Sequence, residues 1–296
     1  MVVKMICLRK SLTILVLVIG GLVNTACTKI GLFAANVPAH FNDAKIVRDI
    51  AYGQSALQKL DIYIPGHIDG DEKAPVLVFF YGGRWSGGSK AQYKFIADVF
   101  TKEGYIVVLP DYRQYPDVKF PAFAQDAARA LAWVYQNIQG YHGDVENLYL
   151  AGHSAGAHLA ALIATNQDYL AKHSLSLDII NGFVGLSGPY AFVPDAPDLE
   201  DMFGPPERYP LMRASNFVDG TQPPMLLIHG LDDEIVALKN AEKLRDAIRR
   251  EGGDVRLVTY DGIDHVETVG ALMWFWSYKA PVKDDMLVFF RKVRPE

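Results

Sequence analysis

The chain has 296 residues, of which 50% are hydrophobic and 21% charged, and its formal net charge is −5. This length fits one or two domains, and the acidic balance argues against a nucleic-acid partner, because binding nucleic acid needs a basic surface. Its two cysteines, Cys7 and Cys27, both lie near the amino terminus. Disulfides, zinc–thiolate sites and a cysteine nucleophile are therefore excluded from the rest of the chain.

Residues 1–26 have the pattern of a secretory signal peptide. Basic residues come first, a glycine-interrupted apolar run over residues 12–23 follows, and the small residue Ala26 ends the segment. The run is shorter than the about 20 apolar residues of a membrane span, although an uncleaved amino-terminal anchor is an alternative. We expect an exported protein of the bacterial cell envelope, either lipid-anchored, periplasmic or secreted.

The stretch Val23–Cys27 resembles a bacterial lipobox, the motif whose cysteine becomes the lipidated first residue of the mature protein. The resemblance implies a lipid anchor on Cys27, which is the only membrane contact that we expect. Asn24 stands where an aliphatic residue is usual. Ordinary signal-peptide cleavage near Ala26 is the alternative.

Short apolar runs alternate with helical patterns from residue 45 onward, which predicts an α/β fold with a mostly parallel central sheet flanked by helices. The first two runs alternate and predict an antiparallel pair, whereas the later continuous runs predict strands covered on both faces. The predicted strands are Lys45–Tyr52, Lys59–Ile64, Val76–Tyr81, Tyr105–Leu109, Leu148–Ala151, Phe183–Leu186, Met225–His229 and Val255–Tyr260. The predicted helices are Lys90–Glu103, Phe123–Gln139, Ala155–Thr165, Asn240–Glu251 and Asp284–Arg291. We expect residues 27–44 to be a linker and residues 45–296 to be one domain.

The segment Tyr190–Pro224 follows neither pattern, because it contains seven prolines. A long irregular insertion between regular elements is typical of a lid or a binding element. We therefore expect a small irregular cap that forms a wall of a substrate pocket.

The most specific motif is Gly152-His153-Ser154-Ala155-Gly156, which lies between a predicted strand and a predicted helix. This context is typical of a nucleophile elbow. The turn is so tight that side chains two positions either side of the serine would clash, and the serine itself is strained. The helix that follows directs N–H groups at the site and favours developing negative charge. The motif predicts Ser154 as a nucleophile, with a plain glycine-rich turn as the alternative.

A serine nucleophile needs a base, and the base must be oriented by a third group. The loop after the seventh predicted strand carries Asp232 and Asp233, and the H-G-x-x-D spacing of related hydrolases favours Asp233. The loop after the eighth predicted strand carries His265, which we predict to be the base. The order serine, aspartate, histidine is typical of hydrolases with a nucleophile elbow.

A tetrahedral intermediate also needs hydrogen-bond donors for its oxyanion. A predicted buried strand ends in the paired glycines Gly82-Gly83, which Arg84 follows. The backbone N–H groups of Gly83 and Arg84, with that of Ala155, are the expected oxyanion hole. Gly82 would allow a close approach of the chain, and a simple Gly-Gly turn is the alternative.

Together these residues resemble the α/β-hydrolase superfamily, in its esterase/lipase branch. The likeness covers nearly the whole chain from about residue 45 and includes Gly82–Trp85, Asp111–Arg113, Phe120-Pro121 and Gly152–His158. That branch contains hormone-sensitive-lipase-like and BD-FAE-like carboxylesterases, kynurenine formamidases and isoprenylcysteine methylesterases. Tyr81 departs from the pattern, because these families usually carry His at that position, and the departure bears on the substrate class.

The residues and the resemblance predict a carboxylesterase-type serine hydrolase that acts on a small or medium acyl ester through an acyl-enzyme. Its partner would be a small-molecule ester, and the chemistry needs no metal and no organic cofactor. An amidase of the kynurenine formamidase type uses the same machinery and is the first alternative. A non-catalytic binding module on a hydrolase fold is the second.

The aromatic segment Trp274–Tyr278 follows the predicted base. We expect it to lie on a helix that packs against the sheet. Lining of an acyl pocket and contact with a membrane interface are the alternatives, because Trp and Tyr combine an apolar body with a polar group.

Overall fold

The computed structural model describes residues 31, 34–40, 42–70 and 72–295. The predicted signal peptide and the predicted lipidation site Cys27 lie outside these residues. Within the described ranges, no helix has both the length and the apolar character that crossing a bilayer requires.

An eight-stranded sheet forms the centre of the fold, in the order β1-β2-β4-β3-β5-β6-β7-β8. The strands are Lys45–Ala51 (β1), Lys59–Ile64 (β2), Ala74–Phe80 (β3), Ile106–Pro110 (β4), Gly143–His153 (β5), Gly182–Leu186 (β6), Met225–Gly230 (β7) and Val255–Tyr260 (β8). The strand β2 pairs antiparallel with β1 and β4, and the other pairs are parallel. This arrangement confirms the predicted α/β class and its antiparallel start.

Eight α-helices have both ends among the described residues, and they connect or flank the strands. They are Lys94–Thr101 (α1), Ala122–Asn137 (α2), Ala155–Thr165 (α3), Gln167–Ala171 (α4), Pro197–Phe203 (α5), Lys239–Arg250 (α6), His265–Gly270 (α7) and Val282–Lys292 (α8). All five predicted helices are present, and α3 matches its prediction to the residue. The first one differs at its start, because residues 90–93 form a 3₁₀ turn before α1 begins.

The strand β5 is longer than the prediction. It begins at Gly143 rather than Leu148. The prediction missed these first residues because the polar side chains of Asp144, Glu146 and Asn147 interrupt the apolar pattern. Register with β3 shifts between Pro75 and Val76, and the polar end of β5 pairs beyond that irregularity. Apolar continuity therefore located only the buried half of this strand.

The core lies on both faces of the sheet. Strands β4, β6 and β7 are buried along their whole length, and α3 is buried on every side. A fully buried Leu, Ile, Val or Phe side chain contributes about 1.5–3 kcal/mol through the hydrophobic effect. Covered parallel strands explain why these segments are continuous apolar runs without alternation.

The segment Tyr190–Pro224 folds into short helical pieces over the sheet edge. It contains α5 and 3₁₀ turns at residues 206–212 and 214–216. Met202 and Phe203 of α5 are buried, and the carbonyl of Met202 accepts a hydrogen bond from the Phe120 N–H at 3.0 Å. The irregular segment is thus a cap with its own apolar contacts to the body.

The aromatic segment Trp274–Tyr278 is not on a helix, so that expectation was wrong. The helix α7 ends at Gly270 and residues 271–279 form turns. The chain folds back there, and the ring of Trp276 occupies the space beside Gly270, where a Cβ would lie 2.4 Å from it. Trp274 and Tyr278 are 60% and 80% exposed.

Candidate active site

The parallel strands bring their carboxyl ends to one edge of the sheet, which is where α/β folds place their sites. Loops after β3, β5, β7 and β8 meet there. They carry, in that order, the paired glycines, Ser154, Asp233 and His265. The topology alone therefore brings Ser154 and His265 close together, although more than 100 residues separate them in the sequence.

Ser154 lies in a strained turn between β5 and α3, with φ of 53° and ψ of −121°. The turn requires both of its glycines. A Cβ at Gly152 would lie 2.6 Å from the carbonyl of Gly156, and one at Gly156 would lie 2.1 Å from the carbonyl oxygen of Phe80. The structure thus has the tight strand–turn–helix geometry that the motif predicts.

A continuous hydrogen-bonded chain joins the three predicted side chains. The Oγ of Ser154 lies 2.9 Å from Nε2 of His265, and Nδ1 of His265 lies 2.9 Å from Oδ2 of Asp233. A carboxylate can only accept, so Nδ1 carries the hydrogen. The lone pair of Nε2 therefore faces the serine hydroxyl, which is the arrangement that proton abstraction needs.

Asp233 is held as a carboxylate by the backbone around it. Its Oδ1 accepts hydrogen bonds from the N–H groups of Ile235 at 3.0 Å and Val236 at 2.8 Å. Burial acts to raise its pKa, but the hydrogen bonds from His265 and from the Val236 N–H outweigh it, so the pKa lies below its usual value. The neighbouring Asp232 is exposed. Of the two aspartates, the structure brings Asp233 to His265.

The loop after β3 lies directly against the serine. A Cβ on Gly82 would be 2.9 Å from Nδ1 of His153 and 3.1 Å from the Cβ of Ser154. The next three residues all have positive φ: 145° at Gly83, 54° at Arg84 and 57° at Trp85. Among the described residues, the N–H groups of Gly83, Arg84 and Ala155 have no hydrogen-bond partner. Unpaired donors beside a nucleophile can receive an oxyanion.

Gln114 supports this loop, and the sequence analysis missed it. Its Nε2 donates to the carbonyls of Gly87 and Gly88, each at 3.1 Å, and lies 3.0 Å from the hydroxyl of Tyr81. Tyr81 stacks on Tyr112 with ring centroids 4.6 Å apart. Burial raises the pKa of Tyr81, so its hydroxyl stays protonated. The tyrosine that departs from the family pattern is thus an anchor of the loop.

A cavity of about 430 Å³ opens at Ser154. Its walls are mainly apolar and include Trp85, Phe192 and Leu199, and the rings of Trp85 and Phe192 stack at 5.3 Å. Two of these residues belong to the cap, which therefore forms a wall of the pocket as expected. Trp274–Tyr278 do not line this cavity. The alternative that this aromatic segment lines the acyl pocket is therefore wrong for the cavity at Ser154.

Two contacts fix the walls of the cavity to each other. The guanidinium of Arg84 makes a bidentate ion pair with Asp198 of α5, at 3.0 and 3.1 Å. Asn240 of α6 accepts from the Ala191 N–H at 3.1 Å and donates to the Ala237 carbonyl at 3.0 Å. Asp198 and Asn240 carry no local sequence signal, because Asp198 pairs with a residue far away along the chain and Asn240 binds backbone atoms.

The described part of the chain contains no group of three or more His, Cys, Asp or Glu side chains that could hold a metal ion. Its functional polar groups at the sheet edge are the serine, the histidine, the carboxylate and the backbone N–H groups. Fold and site together define the class: the chain has the α/β-hydrolase fold, with a serine, a histidine and an aspartate joined by hydrogen bonds at the sheet edge.

Comparison with known proteins agrees with this class. The family model BD-FAE matches residues 60–193, and the model Serine hydrolase (FSH1) matches residues 129–266. Over these overlapping ranges, which together span residues 60–266, the chain is similar to serine hydrolases.

The curated relatives are esterases and a formamidase. The chain is 29% identical over 255 residues to isoprenylcysteine alpha-carbonyl methylesterase of Arabidopsis thaliana, covering 77% of this chain and 58% of that protein. It is 29% identical over 232 residues to Esterase LipQ of Mycobacterium tuberculosis, covering 72% of this chain and 55% of that protein. It is 32% identical over 146 residues to kynurenine formamidase of Danio rerio, covering 49% of this chain and 47% of that protein. The chain therefore spans about half the length of these relatives.

Solved structures show the same fold. Esterase B from Lactobacillus Rhamnosis superposes with a TM-score of 0.77 at 21% identity, over 95% of both chains. A truncated carbohydrate esterase from gut microbiota superposes with a TM-score of 0.71 at 20% identity, over 85% of this chain and 97% of that one. At these identities the likeness is one of fold.

Proposed function

We propose that this protein is a serine carboxylic-ester hydrolase. The observation that carries the proposal is the continuous hydrogen-bonded chain from Asp233 through His265 to Ser154, next to three unpaired backbone N–H groups. The esterase names of the relatives support it. A binding module would not require a complete nucleophile, base and carboxylate in hydrogen-bonding geometry.

The mechanism follows from the positions of the atoms. Ser154 Oγ attacks the ester carbonyl while Nε2 of His265 takes its proton, and Asp233 stabilises the imidazolium that forms. The oxyanion accepts hydrogen bonds from the N–H groups of Gly83, Arg84 and Ala155. His265 then returns the proton to the leaving alcohol. Water, activated by the same imidazole, hydrolyses the acyl-enzyme and regenerates the serine.

The pocket supports a small or medium acyl group. Its volume of about 430 Å³ and its apolar walls of Trp85, Phe192 and Leu199 fit a short aliphatic or single-ring acyl chain. A series of p-nitrophenyl esters from acetate to palmitate measures this directly. We expect kcat/KM to be highest among the short and medium chains.

Ser154→Ala tests the proposed reaction. The substitution removes the attacking oxygen and adds no bulk, so we expect hydrolysis of p-nitrophenyl acetate to fall by about 10⁴-fold or more. Labelling by a fluorophosphonate should be lost as well. The matched control is Ser187→Ala, at a buried serine whose hydroxyl donates to Thr268 at 3.0 Å, and it should keep the activity. Full activity of Ser154→Ala would refute the proposal.

An amide substrate is the second candidate, and the likeness to kynurenine formamidase favours it. Acyl transfer to serine is the same reaction for an ester and for a formamide, so the shape of the pocket decides between them. Parallel assays with N-formylkynurenine and with p-nitrophenyl acetate separate the two. A higher kcat/KM for the formamide would make this chain an amidase.

We also propose that the protein is exported and that Cys27 carries a lipid. The signal-like segment 1–26 and the lipobox-like Val23–Cys27 support this. Processing should then be sensitive to globomycin, and Cys27→Ser should abolish acylation. Normal maturation of Cys27→Ser would instead favour ordinary cleavage near Ala26.

A further inference from the structure

His153 lies directly before the proposed nucleophile, and the proposed mechanism gives it no role. His153 is buried, with 5% of the residue exposed. Its Nε2 lies 3.0 Å from the backbone carbonyl oxygen of His265. A carbonyl can only accept a hydrogen bond, so Nε2 carries the hydrogen. The other ring nitrogen, Nδ1, is consequently an acceptor.

Tyr93 supplies the hydrogen for that acceptor. Its hydroxyl lies 3.1 Å from Nδ1 of His153, and it accepts a hydrogen bond from the Gly82 N–H at 3.3 Å. The donors therefore run in one direction, from Gly82 through Tyr93 to His153 and on to His265. This chain connects the glycine loop, the serine turn and the backbone of the proposed base.

His153 and Tyr93 are both uncharged around neutral pH. Burial, and then the neighbouring His265, lower the pKa of His153 to about 3. Burial raises the pKa of Tyr93 to about 12. The ring centroids of His153 and His265 are 4.9 Å apart, and a second cation at that distance would oppose the imidazolium that forms during proton transfer. The titratable groups that face His153 are Tyr93, His265 and Asp233.

We propose that His153 and Tyr93 are positioning residues, which hold His265 and the glycine loop in register with Ser154. The inference rests on the proposed ester hydrolysis. Nucleophile, base and oxyanion donors come from different loops. The strand pairing that precedes these loops ends at Phe80, His153 and Tyr260, so the functional groups beyond those residues depend on further contacts for their relative positions. A displacement of about 1 Å can cost 10²-fold in rate. The His153–Tyr93 pair links all three loops through side chains buried beneath them.

Three variants and a control test the inference. Tyr93→Phe removes the hydroxyl that links Gly82 to His153. His153→Leu removes both ring hydrogen bonds, whereas His153→Gln replaces the Nε2–H donor by an amide N–H. The matched control is Tyr149→Phe, because the hydroxyl of Tyr149 is also buried and donates to the Phe290 carbonyl at 3.3 Å. All four should be assayed on the full-length protein beside its unfolding temperature.

We expect Tyr93→Phe and His153→Leu to lower kcat by about 10- to 100-fold while KM changes by less than about two-fold. His153→Gln should recover most of the loss, and Tyr149→Phe should keep the kcat of the wild type. The double variant Tyr93→Phe/His153→Leu should lose little more than His153→Leu alone, because both changes break the same chain.

A second readout does not depend on turnover. Titration of the ¹⁵N-labelled His265 ring by NMR should shift in Tyr93→Phe and His153→Leu and return towards the wild type in His153→Gln. Unchanged kcat and unchanged titration in the first two variants would overturn the inference. So would equal losses in His153→Gln and His153→Leu that follow the unfolding temperature. If the wild type hydrolyses no ester, the proposed function fails by itself, and the His265 titration then decides the inference.

Discussion

At the scale of single residues, hydrogen bonds hold the functional side chains of the site in position. Asp233 illustrates this, because one oxygen accepts two backbone N–H groups and the other accepts from His265. His229 contributes indirectly, since its Nε2 lies 2.7 Å from the carbonyl of Val236, whose N–H binds the carboxylate. The aspartate is therefore fixed in position before any substrate binds.

Two adjacent aspartates allow a matched test of this assignment. Asp233→Asn keeps the shape of the side chain but removes its charge, so His265 loses its tautomer control and the stabilisation of its imidazolium. We expect kcat to fall by about 10²- to 10⁴-fold. Asp232→Asn, at the exposed neighbour, should leave kcat within about two-fold of the wild type. A larger loss in Asp232→Asn than in Asp233→Asn would reverse the assignment.

At the scale of elements, the position of Ser154 depends on how closely α3 approaches the end of β3. The contact is possible because Gly156 has no side chain, and a Cβ there would lie 2.1 Å from the Phe80 carbonyl oxygen and 2.4 Å from that of Tyr81. These are backbone atoms at the end of a buried strand, so they have little room to move. Helix, strand and glycine loop are thus mutually constrained.

Gly156→Ala tests this constraint. We expect it to lower the free energy of unfolding by about 1–3 kcal/mol or more, because overpacking against backbone cannot be relieved by a side-chain rotation. Esterase activity should fall with it, since Ser154 lies two residues away. Gly140→Ala is the control, because Gly140 has no atom within 4 Å of its added Cβ. Urea unfolding of both variants gives the comparison, and equal stability of the two would contradict the argument.

The sequence predicts helices and strands correctly where their apolar residues recur with a regular period. The strands β2 and β8 and the helix α3 match their predictions to the residue, because each is bounded by polar residues or proline. The polar start of β5 and the turn over residues 271–279 did not follow their patterns. In the first case pairing with β3 overrides polarity, and in the second the aromatic rings pack in a turn without a helix.

At the scale of the whole molecule, several histidines are buried in the neutral form. Burial lowers the pKa of His158 to about 4; burial and His265 lower that of His153 to about 3. In the unfolded chain a histidine titrates near 6.5. Between these values the unfolded chain binds more protons than the folded one, so the stability is fully present above pH about 6.5 and is lost as the pH falls towards 4 and 3.

The pH dependence of unfolding tests this view. Between pH 7 and pH 5 we expect each of these histidines to cost on the order of 2 kcal/mol of unfolding free energy. His158→Gln keeps a donor for the Met212 carbonyl, to which Nε2 of His158 lies at 2.6 Å, and removes the titration. Its loss of stability on acidification should therefore be smaller. Leu162→Val, at a buried site on the same helix, should show the same cost at both pH values, and an identical pH slope in wild type and His158→Gln would contradict the explanation.

The sequence alone determined the α/β order of elements and placed Ser154, Asp233 and His265 on loops at strand ends. It could do so because hydrophobic periodicity and the glycine spacing of the serine turn are local properties of the chain. The partners Tyr93, Gln114 and Asn240 were found only in the tertiary structure, because each acts on residues that the sheet brings near from elsewhere in the chain. The hydrogen bond that joins Asp233 to His265, the cap contacts and the shape of the pocket were also decided there, since burial and hydrogen-bond direction exist only after the strands have assembled.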